Sequence, residues 1–156
     1  MAAWRTELPD VLGPTSELTK RILLLARRLD AATREVLPEL GLTVAALDVL
    51  AALRRSGEPY RMRSNELTQA LMLSTGGTSN VINRLAADGL VAREPDPQDG
   101  RSTLVRLTPE GVKAAENAVR ANTAAHSAVF AGLSPEVIAA ATHALRAVPV
   151  VGDARQ

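Results

Sequence analysis

The segment covering residues 64–108 limits the possible folds of this 156-residue chain more than any other part. Within it, apolar residues recur every three or four positions over two short stretches, and then every second position over two more. The first spacing is typical of amphipathic helices and the second of strands. The segment therefore predicts two short helices, separated by a tight turn, and then a β-hairpin, which is the order of a winged helix-turn-helix.

The first predicted helix begins at Ser64 and ends near Met72. We expect the Ser64 hydroxyl to cap a free backbone N–H at its start. If the segment binds DNA, Arg63 and Ser64 are placed to anchor phosphates. The apolar face of this helix consists of Leu67, Ala70 and Leu71.

The second predicted helix follows a cap at Ser74 and ends at Gly89. Its apolar stripe consists of Thr78, Val81, Ile82 and Leu85. The other face carries small or hydrogen-bonding residues near the helix start, which favours entry into a major groove over a plain solvated surface. Gly76 and Gly77 support that interpretation, because glycine weakens a helix but permits close approach of another backbone. The predicted DNA-contacting residues are Ser74, Thr75, Gly76, Gly77, Ser79, Asn80 and Arg84, with Asn83 on the same face.

The hairpin is predicted to pair residues 90–93 with residues 103–107. The stretch between them, residues 94–101, is rich in turn formers and is predicted as a protruding loop. Arg101 at its tip is expected to enter a minor groove, where the concentrated negative potential attracts arginine, with Asp99 bracing its side chain. The alternative is an arginine that is merely solvated.

Four stretches stand out, namely the run from Asn65-Glu66-Leu67 through Asn83-Arg84-Leu85, and then Asp88-Gly89-Leu90-Val91-Ala92-Arg93, Asp96-Pro97-Gln98-Asp99-Gly100-Arg101 and Leu107-Thr108-Pro109-Glu110-Gly111. Together they resemble the MarR family of bacterial transcriptional regulators. The resemblance implies a homodimer of winged helix-turn-helix lobes joined by terminal helices, a pseudo-palindromic double-stranded DNA operator, and small molecules that tune DNA affinity. The predicted function is a DNA-binding regulator, specifically a repressor that a small anionic ligand releases.

The rest of the chain is predicted to be helical. Apolar residues in residues 16–36 recur at spacings of four and three, which indicates a long helix, and residues 43–54 form another. Thr108 and Ser134 cap two further helices, each with proline at its first position. We therefore predict a mainly α fold with a small β-hairpin wing, in one domain of residues 1–156.

Within that domain, residues 43–108 are the DNA-binding lobe, called the reading lobe below. Residues 1–38 and 109–148 are assigned to a dimerisation layer, and residues 149–156 to a loose tail. The alternative is that the terminal helices fill only the core of their own monomer. The predicted dimer contacts are Leu18, Ile22, Leu25, Val137, Ile138 and Leu145.

A narrower resemblance concerns an effector site. Two parts of the chain resemble the PecS-type, urate-responsive subgroup. The first is Trp4 with Leu8-Pro9-Asp10, and the second is Leu47-Asp48-Val49-Leu50 with the run from Arg54 to Tyr60. The resemblance implies a site built from a tryptophan, an aspartate and two arginines, which Trp4, Asp48 and Arg93 match at three positions. The fourth falls on Val81, so a flat anion loses a bidentate partner and urate is disfavoured. Another anion, or no effector, is the expectation, and purely structural roles are the alternative.

Several function classes are excluded or disfavoured. The chain has no cysteine, which excludes disulfides and thiol-based sensing. No phosphate-binding loop, zinc-protease motif or nucleophile elbow is present, so no catalytic residue, metal or cofactor is predicted. The two histidines, His126 and His143, lie in separate predicted helices. No membrane span or signal peptide is recognised, so a cytoplasmic location is expected. A net charge of +1 leaves open a winged-helix module that binds protein instead of DNA.

Overall fold

The computed structural model describes residues 6–8, 13–71 and 75–148. Trp4, Ser74 and the tail of residues 149–156 lie outside the described residues, as does the side chain of Arg101. The elements are helix α1 (Pro14–Val36), a short 3₁₀ turn (Pro38–Leu40), α2 (Val44–Arg55), strand β1 (Arg61–Arg63), α3 (Ser64–Leu71), α4 (Thr75–Ala87), β2 (Val91–Asp96), β3 (Asp99–Leu107), α5 (Pro109–Val129) and α6 (Pro135–Arg146). The prediction of a mainly helical fold with a hairpin wing is confirmed.

The sheet has three antiparallel strands in the order β1-β3-β2, so β3 is central. The predicted long loop over residues 94–101 is wrong, because β2 continues to Asp96 and β3 begins at Asp99. The Asp96 carboxylate accepts a hydrogen bond from the Gln98 backbone N–H at 2.9 Å and so closes the turn within two residues. Pro95 is tolerated in β2 because this strand lies at the sheet edge. Strand β1 is a third strand that the sequence did not predict.

The main core lies inside the reading lobe, where α2 is surrounded by α3, α4, the sheet and the start of α5. Leu50, Leu53 and Leu67 are completely buried, and Ile82 and Leu85 of the predicted α4 stripe are 1% and 2% exposed. A smaller cluster of Leu37, Leu47 and Ala118 joins the residue that follows α1 to α2 and α5. The core therefore holds α4 by one face only.

The ends of several helices follow the sequence signals. The side chains of Thr43, Thr108 and Ser134 each accept a hydrogen bond from the backbone N–H three residues later. At the end of α4, Gly89 has φ +72°, and Gly89 N and Leu90 N donate to the carbonyls of Ala86 and Leu85. This pairing is a Schellman cap, in which glycine relieves the left-handed strain. Helix α4 therefore ends where predicted.

The predicted cap at Ser64 is wrong. Its hydroxyl donates to the Thr103 carbonyl at 3.2 Å. Strand β1 ends at Arg63, which pairs with Leu104 of β3. The next carbonyl of β3, that of Thr103, therefore accepts from the Ser64 hydroxyl instead of from a strand N–H. The start of α3 is stabilised by Glu66, whose carboxylate accepts from the backbone N–H of Arg63 at 2.9 Å.

Helix α1 packs on α5, and a polar cluster links the two helices. The hydroxyl of buried Thr33 donates to Asn122 Oδ1 at 2.7 Å and lies 2.8 Å from His126 Nε2. His126 is therefore part of the packing between the two helices. Among the described residues, no single helix is long and apolar enough to cross a membrane, although residues 15–40 and 44–55, bent by 86°, pass that test as a pair.

Candidate nucleic-acid interface

Helix α4 presents a polar face to solvent. Gly76, Ser79, Asn80, Asn83 and Arg84 are exposed, whereas Thr78, Ile82 and Leu85 are buried on the other side. Within the described part of the chain, the Arg84 guanidinium makes no ion pair or hydrogen bond. The exposed face therefore combines small side chains, amides and an unpaired cation on a helix that its core holds rigidly.

The glycines of the chain serve different purposes. A Cβ added at Gly111, where α5 begins, would lie 1.8 Å from the Leu90 carbonyl oxygen, so packing requires glycine there. A Cβ added at Gly76 would meet nothing within 4 Å. The packing of the described chain thus gives no reason for Gly76, although a bare backbone at this position would let an external partner come close.

The residues before α3 make contacts inside the protein. Arg63 Nε donates to Asp96 Oδ2 at 2.6 Å, and the hydroxyl of Ser64 is used by Thr103. The ion pair raises the pKa of Arg63, chiefly through its hydrogen bond to Asp96. The phosphate-anchoring role of Arg63 and Ser64 stays a prediction. In the structure, the Arg63 Nε and the Ser64 hydroxyl already donate hydrogen bonds inside the protein.

The wing turn, defined as residues 96–99, is built around a buried carboxylate. The Asp96 side chain is only 3% exposed. Its pKa is lowered first by the hydrogen bond from the Gln98 backbone and then by the hydrogen bond from Arg63. Asp99 Oδ2 accepts a hydrogen bond from the Ser102 hydroxyl at 2.7 Å. The predicted bracing of Arg101 by Asp99 falls on a side chain outside the described residues.

Of the predicted effector residues, the structure describes Asp48 and Arg93. Arg93 Nη2 donates to Asn83 Oδ1 at 2.8 Å and thereby links β2 to the polar face of α4. Asp48 lies on α2, where partial burial raises the pKa of its carboxyl group. Val81 lines a cavity of about 230 Å³ between α4 and the start of α2, but neither Asp48 nor Arg93 does. The cavity is lined by Gly41, Leu42, Thr43, Ala46, Asn80, Val81, Arg84, Leu85 and Asp88.

The predicted dimer residues are mostly exposed. Val137, Ile138 and Leu145 of α6 are 51%, 42% and 42% exposed, and no residue of α6 is buried by the described chain. Leu18 and Ile22 of α1 are also exposed, while Leu25 is half-buried. These apolar side chains form two faces that the described part of the chain leaves exposed.

No group of three or more His, Asp or Glu side chains that could hold a metal ion is found among the residues that the structure describes. Sequence reasoning missed Asp96 and Gln98 as partners of Arg63, and Asn83 as the partner of Arg93. The turn formers in residues 94–101 were recognised, but no local signal connects Asp96 to Arg63, which lies 33 residues away.

Comparison with known proteins gives consistent results. Residues 40–102 match a model described as the MarR family. The chain is 34% identical over 115 residues to the transcriptional regulator PecS of Dickeya dadantii, covering 69% of this chain and 65% of PecS, just under two thirds of that relative. Wild-type MarR of Escherichia coli superposes with a TM-score of 0.74 at 26% identity, covering 85% of this chain and 97% of that one. BpsR of Bordetella bronchiseptica, studied for regulation of its DNA binding by 6-hydroxynicotinic acid, superposes with a TM-score of 0.70 at 30% identity. The superposition covers 85% of this chain and 98% of BpsR.

Proposed function

Because this chain belongs to the MarR family of transcriptional regulators, we propose that it is a homodimeric repressor that reads a pseudo-palindromic DNA operator. The observation that carries the proposal is the exposed polar face of α4. On the opposite face of this helix, Ile82 and Leu85 pack into the core of the lobe. A rigid helix with short side chains at its start suits direct readout in a major groove. The relatives of this chain, PecS and MarR among them, are regulators and not enzymes.

Each part of the reading lobe has a proposed task. The start of α4, with Gly76, Gly77, Ser79 and Asn80, approaches base edges, and Arg84 contacts bases or backbone. We assign Ser74 and Thr75 to DNA contacts at the start of the helix, Arg63 and Ser64 to phosphates, and Arg101, with Asp99, to the minor groove. The protein acts where the chromosome lies, which in a bacterium is the cytoplasm.

A second copy of the chain is the proposed cover for the apolar faces of α1 and α6. Leu18, Ile22, Val137 and Ile138 are 40–51% exposed, which is a poor arrangement for a lone chain in water. A dimer places two α4 helices on one side of a duplex, about 10 base pairs apart. The interface is therefore also a requirement for reading both half-sites.

The proposed inducer is a small anion bound near Trp4, Asp48 and Arg93. The structural support is the hydrogen bond from Arg93 to Asn83, because an anion that takes the guanidinium removes a contact to the polar face of α4. The DNA binding of BpsR is regulated by 6-hydroxynicotinic acid, and this compound is therefore one candidate for testing. By linkage, such a ligand releases DNA only if it binds the free conformation more tightly.

The test is selection of duplexes from a random library by the wild-type dimer, followed by titration of the selected duplex. Arg84→Ala should weaken binding at least tenfold, whereas Arg120→Ala, an equal charge loss at an exposed site on α5, should change it little. Affinity should fall steeply with salt, because phosphate contacts release counterions. Failure to select any sequence, or an affinity insensitive to salt, would instead favour a module that binds protein.

The inducer is tested separately with 6-hydroxynicotinate and urate on the same duplex. We expect the first to release DNA more effectively than urate, and Arg93→Ala to weaken that response. A duplex affinity that neither compound changes would favour a constitutive DNA binder.

A further inference from the structure

The wing is tied to the helix-turn-helix by one ion pair that crosses the sheet. Arg63 is the last residue of β1 and immediately precedes α3, whereas Asp96 ends β2. Since β3 lies between these two strands, the Arg63 side chain spans the central strand to reach Asp96 at 2.6 Å. The other described ion pair of the sheet, Arg106 with Glu94, joins only the neighbouring strands β3 and β2.

Asp96 holds the wing turn as well as the arginine. One carboxylate oxygen accepts from Arg63 Nε and the other accepts from the Gln98 backbone N–H. The backbone of Asp99 also stabilises the charged form. The same carboxylate thus sets the shape of the turn and its position relative to the start of α3.

The sign of this charge is informative. Asp96 lies in a wing that is proposed to approach phosphates, where an anion weakens binding by electrostatics alone. Its side chain is 3% exposed, so its contribution comes from the contacts that it makes rather than from a surface field. A buried, fully hydrogen-bonded carboxylate is suited to setting geometry.

We propose that Arg63 and Asp96 are positioning residues for DNA binding, a clamp that sets the wing turn at the distance from α3 and α4 needed for simultaneous contact with adjacent grooves. The proposal rests on the proposed DNA-reading function and adds the residues that align its two parts. It replaces a phosphate contact through Arg63 Nε with an indirect role. Groove contacts made from two elements require their relative position to be held to within a fraction of an ångström.

The experiment compares Asp96→Asn with Glu94→Gln on the selected duplex. Both variants remove one negative charge from β2 and break an ion pair of 2.6 Å, but only the first breaks the clamp. We expect Asp96→Asn to bind at least tenfold more weakly although the protein becomes more positive. Glu94→Gln should bind within about twofold of the wild type or more tightly, because losing a negative charge reduces the repulsion between the wing and the phosphates.

Hydroxyl-radical footprinting supplies a readout that general destabilisation does not move. Asp96→Asn, at saturating concentration, should lose the outer minor-groove protection from the wing and keep the central protection from α4. Arg63→Gln should give the same pattern, and the double variant should be no weaker than the worse single variant, since both changes break one contact. Thermal melting checks that each variant is folded.

The outcomes separate the two hypotheses. If the wild type selects no duplex, the proposed function fails and the clamp fails with it. If the wild type binds but Asp96→Asn binds equally well or more tightly, the clamp alone is overturned. Independent, additive losses from Arg63→Gln and Asp96→Asn would return Arg63 to a direct phosphate contact. If Asp96→Asn does not fold, the footprint of Arg63→Gln decides, and an intact outer protection contradicts the proposal.

Discussion

The reading lobe and the outer helices use similar apolar residues but differ in what covers them. In the reading lobe, Val49, Leu50 and Leu53 of α2 are completely buried by elements of the same chain. In α6, Val137 and Ile138 are about half exposed, and the described chain buries no residue of this helix. The comparison indicates that the lobe is complete within one chain, and it is the basis of our proposal that a second chain covers α6 and the exposed part of α1.

The largest expected effect on stability comes from the core of the lobe. Leu53→Ala removes a completely buried side chain and should lower the free energy of unfolding by about 2–5 kcal/mol. Leu40→Ala, at a residue that is 40% exposed and lies outside both the lobe and the proposed dimerisation layer, is the matched control. Urea denaturation measures both. Similar losses for the two variants would mean that the lobe does not carry the stability of the chain.

The next effect concerns assembly. Removing the residues after Gly132 deletes α6 and should convert a dimer into monomer or aggregate, because the apolar faces lose their partner. Ile138→Glu should give soluble monomer with an unchanged lobe, and Glu136→Gln, at the exposed start of the same helix, should remain dimeric. Light scattering is the measurement. A clean, soluble dimer of the truncated chain would refute the assignment of α6.

A smaller effect separates the glycines of the lobe. Gly76→Ala should raise the free energy of unfolding by up to about 1 kcal/mol, since the position is open and alanine favours the helix. It should also weaken the binding of selected DNA if the bare backbone serves close approach. Gly111→Ala should instead lower the melting temperature, because its Cβ meets the Leu90 carbonyl. Unchanged DNA affinity in Gly76→Ala would remove close approach from the account.

The smallest effect is a pH dependence from two aspartates with opposite shifts. Partial burial raises the pKa of Asp48, so its charged form opposes folding above that pKa, and Asp48→Asn should gain a little stability at neutral pH. The gain should vanish as pH falls below the ordinary aspartate range. The pKa of Asp96 is lowered, so its stabilisation is present above the ordinary range and disappears as pH falls through its folded pKa. Thermal melting from pH 3 to pH 7 should show opposite trends for Asp48→Asn and Asp96→Asn.

The sequence predicted the elements whose signals are local. The α4 stripe, its glycine cap and the capping threonine before α5 depend on residues within a few positions, and all are confirmed. Strand β1 was missed because three residues, Arg61, Met62 and Arg63, are too few to show a period of two. Their pairing with β3 depends on residues more than 40 positions away.

The site was predicted less completely for the same reason. The exposed face of α4 follows from helical spacing, whereas the bonds of Arg63 to Asp96 and of Arg93 to Asn83 depend on how separate elements pack. The prediction of a cap at Ser64 was wrong because its hydroxyl donates a hydrogen bond to the Thr103 carbonyl of β3. The predicted effector group remains a prediction, since Trp4 lies outside the described residues and neither Asp48 nor Arg93 lines the described cavity beside Val81.

The claim that one complete lobe is duplicated by a second chain is tested most directly by methylation protection of the selected duplex. Two α4 helices should protect two groups of major-groove guanines, with their centres about 10 base pairs apart on the same side of the duplex. The two groups should be related by the dyad of the sequence and should appear together as protein is added. A single protected group, filling without a symmetric partner, would contradict the account.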